Sequence, residues 1–458
     1  MSIKVVNMVP KSLSGERYHD RETSLTVNAT NSLQIAASAF TPEPSGRSLA
    51  PIYVSNDGGD TWILNPIVPA LNSPGDTFDI SLCFSGETSN LYAGILLNDF
   101  VEGQTDLNIL RTDNYMSNNV MTVIAEKLDV DQPFIKAESL LDGASIKDRI
   151  YMAINDFNNA PKTATIYVSL DSASANPSVS SFSIEKRNTA GQNMPAVRPA
   201  IHSDGTVYAA FYGVRSRTPL NNRDSDYTGD VVVVRDDQWA TSLNPFSSLL
   251  DPGDNIAGRL VASNVTVCWR NRAFLGQERI GGDLAITVHP KNSSIVYIAW
   301  TDKQPNSDSV LHIRSSKDRG KTWSSDLLTL PNSKNPSLAI NADGILGLLY
   351  QQFTDKNRWD THFLSTKDDF HNTEDSILAT VPVISTGSLP YNGDYDMIVA
   401  VDKNFYGIFT ALNIPDLANF PSGVSYQRNS DFTRHKLIDV DGMTEVPPSM
   451  DCFFFKVT

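Results

Sequence analysis

Short runs of alternating apolar and polar residues recur along the chain, and Gly, Pro, Asn or Asp residues separate them. Alternation with a period of two, rich in β-branched and aromatic residues, is typical of strands rather than helices. The pattern also repeats as a unit, which has a short apolar strand, a tight turn, a second strand rich in Ala, Tyr and Phe, and a third strand ending in a polar turn. First strands are predicted at 24–28, 198–205, 283–290 and 336–344, with weaker copies starting near Asp79, Gln132 and Asp394. Second strands are predicted at 33–39, 91–96, 149–154, 207–212, 295–300, 345–350 and 405–409.

The third strand of each unit is predicted to end at an acidic turn. The turn residues are Asp57, Asp113, Asp171, Asp236, Asp318, Asp368 and Asp431, at intervals of 50 to 82 residues. Each interval has room for a four-stranded antiparallel sheet and a loop. Seven such sheets bury both faces only if they stack in a closed ring, so the pattern predicts an all-β fold, a single β-propeller with seven four-stranded blades. Six blades are the alternative, if the copy around Asp79–Asp113 is an insertion.

The two ends of the sequence also read as strands, at Ile3–Asn7 and Cys452–Val457. A propeller closes when chain ends complete one blade, because this removes an exposed sheet edge. We therefore expect residues 1–458 to form one propeller domain, closed by strands within 1–7, within 451–457, or both. Phe453, Phe454 and Phe455 are then core residues of the closing blade.

Composition and charge limit the partners and the cellular compartment that we expect for the protein. The chain of 458 residues carries 37 Lys and Arg against 52 Asp and Glu, a net charge of −15. Such an acidic chain is not expected to bind nucleic acid or an anionic membrane, since both recruit basic clusters. No apolar run is long enough to span a bilayer, and the first residues carry no secretory signal, so we expect a cytoplasmic protein or export by a signal-independent route. Three cysteines are too few and too scattered for a disulfide framework or a zinc site.

Two turns share the pattern Ser-x-Asp-x-Gly-x-Thr-Trp. The first contains Ser55, Asp57, Gly58, Thr61 and Trp62, and the second contains Ser316, Asp318, Gly320, Thr322 and Trp323. The Ser and Asp oxygens can accept hydrogen bonds from backbone N–H groups of the turn, and Gly tolerates the left-handed backbone that the turn needs. This pattern resembles the Asp-box, or bacterial neuraminidase repeat, of the sialidase-like propellers. The resemblance implies a structural role for these residues at the blade periphery, away from any substrate site.

The loops that lead into the predicted inner strands are rich in charged and aromatic residues. Inner strands surround the central channel of a propeller, so a site there draws one residue from each of several blades. Glu22, Asp283, Asn335 and Asp396 fall at one register of the repeat, and Asp131 and Asp394 lie in equivalent loops. We expect these six residues to line a substrate-binding site at the channel mouth.

The resemblance to sialidases implies a more specific chemistry. Three arginines would clamp a substrate carboxylate, a Tyr would act as nucleophile with a Glu as its base, and an Asp would act as acid and base. The matching positions are Arg21, Arg198 and Arg279 for the clamp, Tyr391 or Tyr395 for the nucleophile, Glu278 for its base, and Asp20 or Asp79 for the acid. The chain departs from the family where sialidases have an aromatic-Arg-Ile-Pro signature, since it has His19-Asp-Arg-Glu-Thr23. The count of seven units also departs from the six blades of sialidases.

Two functions from different classes remain open. The first is a glycan-active or glycan-binding propeller, a candidate exo-glycosidase, in which Asp394 or Asp396 could also pair with Glu22 or Asp283 as acid and base. The alternative is a non-catalytic scaffold that binds a protein partner. No cofactor is expected, although Asp224-Ser-Asp226 and Asp439-Val-Asp441 offer oxygen ligands of the kind that structural calcium takes.

Overall fold

The structure is a computed structural model that describes residues 2–40, 52–69, 77–99, 104–184, 189, 194, 196–270, 281–354, 356–383 and 391–458. Regular structure within these ranges is almost entirely β-strand. The exceptions are short 3-10 helices at Lys11–Leu13, Phe157–Asn159 and Leu417–Asn419. In the part of the chain that is described, no helix is long and apolar enough to cross a membrane.

The strands are numbered in chain order. They are β1 Ile3–Asn7, β2 Arg21–Val27, β3 Ile35–Phe40, β4 Ile52–Ser55, β5 Ile63–Asn65, β6 Thr77–Phe84, β7 Leu91–Asp99, β8 Gln104–Thr112, β9 Thr122–Lys127, β10 Val130–Asp142, β11 Ser145–Asp156, β12 Ala164–Ser169, β13 Ser180–Ser183, β14 Arg198–Ile201, β15 Val207–Pro219, β16 Ser225–Asp236, β17 Arg259–Trp269, β18 Leu284–His289, β19 Asn292–Gln304, β20 Ser307–Ser316, β21 Leu328–Pro331, β22 Ser333–Ile340, β23 Leu346–Thr354, β24 Arg358–Thr366, β25 Thr373–Pro382, β26 Met397–Val401, β27 Asn404–Leu412, β28 Ser425–Tyr426, β29 Ser430–Asp431, β30 Lys436–Ile438, β31 Glu445–Val446 and β32 Met450–Val457.

These strands form a ring of sheets, which confirms the predicted propeller. Six antiparallel sheets each use four consecutive strands, β2–β5, β6–β9, β10–β13, β14–β17, β18–β21 and β22–β25, and a seventh contains β26, β27, β32, β1 and β28. The first strand of each sheet contacts the first strand of the next, and β26 contacts β2, so the ring is closed. We number these sheets as blades 1 to 7. At the hub, a cavity of about 250 Å³ is lined by β10, β14, β18, β22 and β26.

Blade 7 is built from both ends of the described chain. Strand β32 lies between β27 and β1 and pairs antiparallel with each of them, with Phe454 opposite Val6. Phe453, Phe454 and Phe455 are fully buried. Asp431 was expected to end the third strand of this blade, and that expectation is wrong. Asp431 lies in a small separate sheet of β29–β31, because β32, far along the chain, supplies the third strand instead.

The two turns that share the Ser-x-Asp-x-Gly-x-Thr-Trp pattern have the same hydrogen bonds. The Asp318 carboxylate accepts from the Thr322 N–H at 2.9 Å and from its hydroxyl at 2.6 Å, and the Ser316 hydroxyl accepts from the Gly320 N–H at 2.8 Å. In the first turn the glycine that bonds to the serine is Gly59, at φ +85°, and not Gly58. These turns follow the third strand, so they lie at the end of each blade opposite to the start of the inner strand.

Two further turns keep this geometry without keeping the sequence. Two successive residues with positive φ occupy the middle of each turn, at Gly58–Gly59, Trp239–Ala240, Arg319–Gly320 and Asp369–Phe370. In blade 6 the Asn372 side chain replaces the threonine and donates to Asp368 at 2.6 Å. The turn geometry therefore recurs in at least four blades, twice as often as the sequence pattern.

Candidate functional site

The starts of the inner strands are irregular at the end of the propeller where the candidate residues lie. Pairing with the second strand shifts register within the first residues of β2, β6, β10 and β22. Glu22, Gln132 and Asn335 at these shifts have φ values of +55°, +52° and +53°. A β-bulge bends a strand and re-aims its side chains, and left-handed backbone at residues other than glycine is concentrated at functional sites. The fold thus directs polar side chains from several blades toward the hub.

The Tyr391 hydroxyl lies between two carboxylates. It is 2.9 Å from Glu22 Oε1 and 2.8 Å from Asp394 Oδ1, and the Arg21 guanidinium lies 5.2 Å from the centre of the Tyr391 ring. A phenol carries one proton, so it cannot donate fully to both oxygens. The two carboxylate oxygens therefore share the one proton of the hydroxyl. Either carboxylate is placed to take the proton of the phenol. We call Arg21, Glu22, Tyr391 and Asp394 the Tyr391 cluster.

A glycine allows the loop of Tyr391 to approach blade 1. Gly393 has a φ of +79°, and a Cβ atom there would lie 2.8 Å from the backbone nitrogen of Glu22. The Gly393 carbonyl accepts a hydrogen bond from Lys334 Nζ at 2.7 Å. Lys334 is fully buried at the start of β22. Blade 6 therefore holds the loop that carries Tyr391.

A second group of side chains joins blades 3, 4 and 7. Tyr395 packs edge-on against Phe134 with 5.1 Å between ring centres, and the Arg198 guanidinium lies 3.4 Å from the centre of the Phe134 ring. Burial lowers the pKa of Arg198 to about 10, although Tyr395, Asp283 and Asp79 oppose this shift. The Tyr395 hydroxyl has no hydrogen-bond partner among the described residues, and burial raises its pKa well above 10.

Two buried aspartates complete the site. Asp283 Oδ2 accepts from the Asn335 N–H at 2.8 Å, and burial raises the pKa of Asp283 to about 7 despite the nearby Lys334 ammonium. Burial also raises the pKa of Asp396 well above its usual value, with Lys334 again opposing the shift. A carboxyl group with a pKa near 7 is suited to general acid and base catalysis at neutral pH.

Most of the predicted residues meet at this end of the hub. Arg21, Glu22, Tyr391 and Asp394 form one cluster, and the residues that interact around Arg198 and Lys334 are Asp79, Arg198, Asp283, Asn335, Tyr395 and Asp396. Asp131 is half-buried and accepts from the N–H of Gln132. Glu278 and Arg279 lie outside the described residues. Phe134 and Lys334 were not among the predicted residues, although each lies close in sequence to one of them.

Asp20 lies in a different environment. Its Oδ2 accepts from the Cys452 N–H at 3.2 Å and from the Cys452 thiol at 3.0 Å. It therefore belongs to the contact between the chain ends, whereas Asp79 lies close enough to Arg198 to oppose the fall in the pKa of that arginine.

The candidate calcium ligands make other contacts. Asp226 pairs with Arg270 at 2.9 Å and with Lys303 at 3.0 Å. Asp441 accepts from the Thr444 N–H at 2.8 Å and from its hydroxyl at 2.6 Å. Within the described ranges, no group of three or more His, Cys, Asp or Glu side chains is placed to hold a metal ion.

No protein-family model matches the chain, and no curated protein matches it at a significant level. Solved structures match at low identity. An α-L-arabinofuranosidase of Fusarium graminearum with an iminosugar inhibitor is 12% identical, with a TM-score of 0.42 over 82% of this chain and 97% of its own. An α-L-arabinanase of Penicillium chrysogenum with arabinobiose is 13% identical, with a TM-score of 0.45 over 82% of this chain and 98% of its own. The NanB sialidase of Streptococcus pneumoniae is 10% identical, with a TM-score of 0.35 over 88% of this chain and 66% of its own. Similarity at this level carries no argument about what this chain does.

Proposed function

We propose that the protein is a glycoside hydrolase that uses Tyr391 as its nucleophile at the mouth of the propeller channel. The observation that carries the proposal is the Tyr391 hydroxyl between Glu22 and Asp394, with the Arg21 guanidinium beside the ring. A phenol is a weak nucleophile at its ordinary pKa, and an adjacent carboxylate that takes its proton activates it. Tyrosine nucleophiles are one of the recognised exceptions to catalysis by two carboxylates in glycosidases.

The proposed reaction has two steps. In the first, the Tyr391 oxygen bonds to the anomeric carbon while its proton passes to Glu22 or Asp394, and the glycosidic bond breaks. Asp283 is the candidate acid that protonates the departing oxygen, since a pKa of about 7 leaves it partly protonated at neutral pH. In the second step a water oxygen bonds to the anomeric carbon while the bond to Tyr391 breaks. Asp283 takes a proton from the water, and the tyrosine oxygen regains its proton from Glu22 or Asp394.

Two tyrosines of one loop give a matched pair of variants. Tyr391→Phe removes the hydroxyl that contacts Glu22, whereas Tyr395→Phe removes a hydroxyl that has no hydrogen-bond partner in the described part of the chain. The assay is release of a fluorophore from a panel of sialosides and neutral glycosides. We expect Tyr391→Phe to lower kcat/KM by about a thousandfold or more and Tyr395→Phe to change it by less than about tenfold.

The chemical intermediate gives an independent readout. A fluorinated substrate analogue that slows the second step should add one sugar to the peptide that contains Tyr391, as measured by mass spectrometry. Activity retained in folded Tyr391→Phe would refute the proposal. If no glycoside is hydrolysed, the enzyme proposal fails, and a glycan array then tests whether the hub binds sugars without cleaving them.

A further inference from the structure

A second cavity lies at the opposite end of the propeller from the Tyr391 cluster. Its volume is about 520 Å³, within the range of ligand and peptide pockets. It lies between blades 6 and 7, and we call it the blade 6–7 groove, lined by Ile345, Thr366, Thr373, Lys403, Phe405 and Val457. Strand β22 begins at the site and ends at Ile340, next to the groove residue Asn341, so a strand length separates the two.

At the other six junctions, the turn after the third strand of one blade packs on the preceding blade. Described contacts show this around the ring. Five of these contacts are hydrogen bonds: from the Tyr115 hydroxyl to the Ser55 carbonyl at 3.1 Å, from Arg111 to the Ser172 carbonyl at 2.6 Å, from the Tyr151 hydroxyl to the Trp239 carbonyl at 3.0 Å, from Arg235 to the Arg319 carbonyl, and from the Tyr297 hydroxyl to Asp369 at 2.6 Å. In the sixth, Gly59 packs against the Phe454 ring. A polypeptide turn is therefore the usual occupant of this position.

Blade 7 cannot supply such a turn to blade 6. Its third and fourth strands are β32 and β1, which are not consecutive in the chain, so no short turn joins them. The groove is the space beside blade 6 where the turn of a seventh unit would lie. Its lining includes the blade 6 turn on one side and the end of β32 on the other.

Blade 6 also lacks a side chain that most blades have at this point. The strand pairings align one position of the second strands, which is Tyr in five blades, Ala36 in blade 1 and Gly347 in blade 6. Ala36 packs with Tyr115 from the turn of blade 2. At Gly347, a Cβ atom would lie 2.7 Å from the Phe405 ring, so the position stays small. The missing turn accounts for the groove, whereas the space beside Gly347 is taken by the Phe405 ring, which forms part of the groove floor.

We propose that the blade 6–7 groove binds a turn of another protein that carries an aromatic side chain. The occupant is inferred from five of the other six junctions, where the corresponding turns bring Trp62, Tyr115, Trp239, Trp323 or Phe370. The apolar floor of Ile345, Phe405 and Val457 suits an aromatic ring, and the exposed Thr373 and Lys403 at the rim offer polar groups to a peptide backbone. This binding site is independent of the proposed hydrolase activity.

The test uses a displayed library of disulfide-closed peptides selected on the full chain, together with a closed peptide of the sequence 53–64. Selection should enrich peptides with a Trp or Tyr at the turn. Replacing that aromatic residue by Ala should weaken binding about tenfold or more, as measured by fluorescence anisotropy.

Protein variants assign the binding to the groove. Thr373 is exposed and lines the groove, so Thr373→Trp should fill it and weaken peptide binding about tenfold or more. Lys403→Glu changes the rim without adding bulk. Leu141→Trp, on an exposed hairpin elsewhere, should bind peptide like the unchanged protein.

Three results would overturn the proposal. One is enrichment of no peptide or of peptides without an aromatic residue. Another is equal binding by Thr373→Trp while its thermal unfolding is unchanged. The third is a dimer, seen by light scattering, that Thr373→Trp disperses, because a second copy of the chain would then occupy the groove. Glycosidase activity should be unchanged in all groove variants, so this test is separate from that of Tyr391.

Discussion

Replacement of Arg428 tests how the ring is held closed. The Arg428 side chain is fully buried, and its Nη1 donates to Asp451 of β32 at 2.8 Å. Its Nη2 donates to the carbonyls of Ser14 at 2.8 Å and Glu16 at 2.5 Å. Asn7 of β1 donates to the same Asp451 oxygen at 2.7 Å. One guanidinium therefore ties together the first residues of the chain, the 413–449 segment and the last strand.

The expected cost of Arg428→Met follows from this geometry. Removing one partner of a buried ion pair usually costs about 3–5 kcal/mol, because the other charge stays buried. Asp451 would keep its hydrogen bonds from Asn7 and Asn413, so we expect a loss of about 3 kcal/mol in the free energy of unfolding. The entropy of unfolding is about 2 cal/mol/K per residue, so over 458 residues this loss lowers the Tm by about 3 °C.

The assay is calorimetry of four proteins in a double-mutant cycle. Arg428→Met and Asp451→Asn should each destabilise, and the double variant should lose less than the sum by about 1–3 kcal/mol. Arg434→Met is the control, since Arg434 is exposed and pairs with Glu445 at the surface, where the expected loss is below about 1 kcal/mol. Hydrogen exchange of β1 should also accelerate in Arg428→Met. A Tm equal to that of Arg434→Met, or strict additivity in the cycle, would refute the reasoning.

Three other changes have expected effects on stability. Burial, with Asp20 and Asp451 nearby, raises the pKa of Glu16 from 4.5 to about 9. The nearest Arg428 nitrogen is 3.8 Å from Glu16, so the positive charge of Arg428 offsets only a part of this rise in the pKa. The folded protein therefore keeps a proton on Glu16 up to a higher pH than the unfolded chain does. As a result, the free energy of unfolding falls as pH rises from about 4.5 to 9. Glu16→Gln should raise the Tm at pH 8 but not at pH 4. Burial opposes the charge of His312, but hydrogen bonds to Asp302 and Asp326 outweigh it and raise its pKa to about 9. The stabilisation by protonated His312 is thus complete below about pH 6.5 and is lost as pH rises through 9. His312→Gln should therefore lower the Tm most at pH 6, with the exposed His371→Gln as control. An equal loss in Tm at pH 10 would contradict this. Asp318→Ala should cost about 1 kcal/mol in urea unfolding, as loss of a capping carboxylate does, and an unchanged midpoint would show that the turn does not need its carboxylate.

The propeller was predictable because its signal is repeated. Every second strand predicted from the alternating pattern overlaps an observed strand, from β3 at Ile35–Phe40 to β27 at Asn404–Leu412. The error at Asp431 arose because the repeat was read in chain order. Pairing of β32 with both β27 and β1 is a contact across the whole sequence, and a local pattern does not encode it.

The candidate site was predictable by residue type, but its hydrogen bonds depend on local backbone geometry. Charged residues ahead of inner strands do gather at one end of the hub, as the repeat register implied. Glu278, the predicted base for Tyr391 or Tyr395, lies outside the described residues, and Glu22, which was predicted to bind substrate, contacts the Tyr391 hydroxyl. That contact depends on the bulge in β2 and on the positive φ of Gly393, and neither changes the apolar and polar pattern from which the strands were predicted.

The closing blade connects the stability prediction with the blade 6–7 groove. Strands β32 and β1 complete blade 7 without a covalent turn between them, so backbone pairing and side-chain contacts hold them together. The Arg428, Asp451 and Asn7 network supplies these contacts at the end of the blade nearer Asp20 and Met450. At the other end, where the remaining blades have a turn, no such turn within the described residues covers blade 6, and an apolar floor is left open. One topological feature, closure by strands from both chain ends, therefore creates both the need for a buried ion pair and the space that we propose a partner fills.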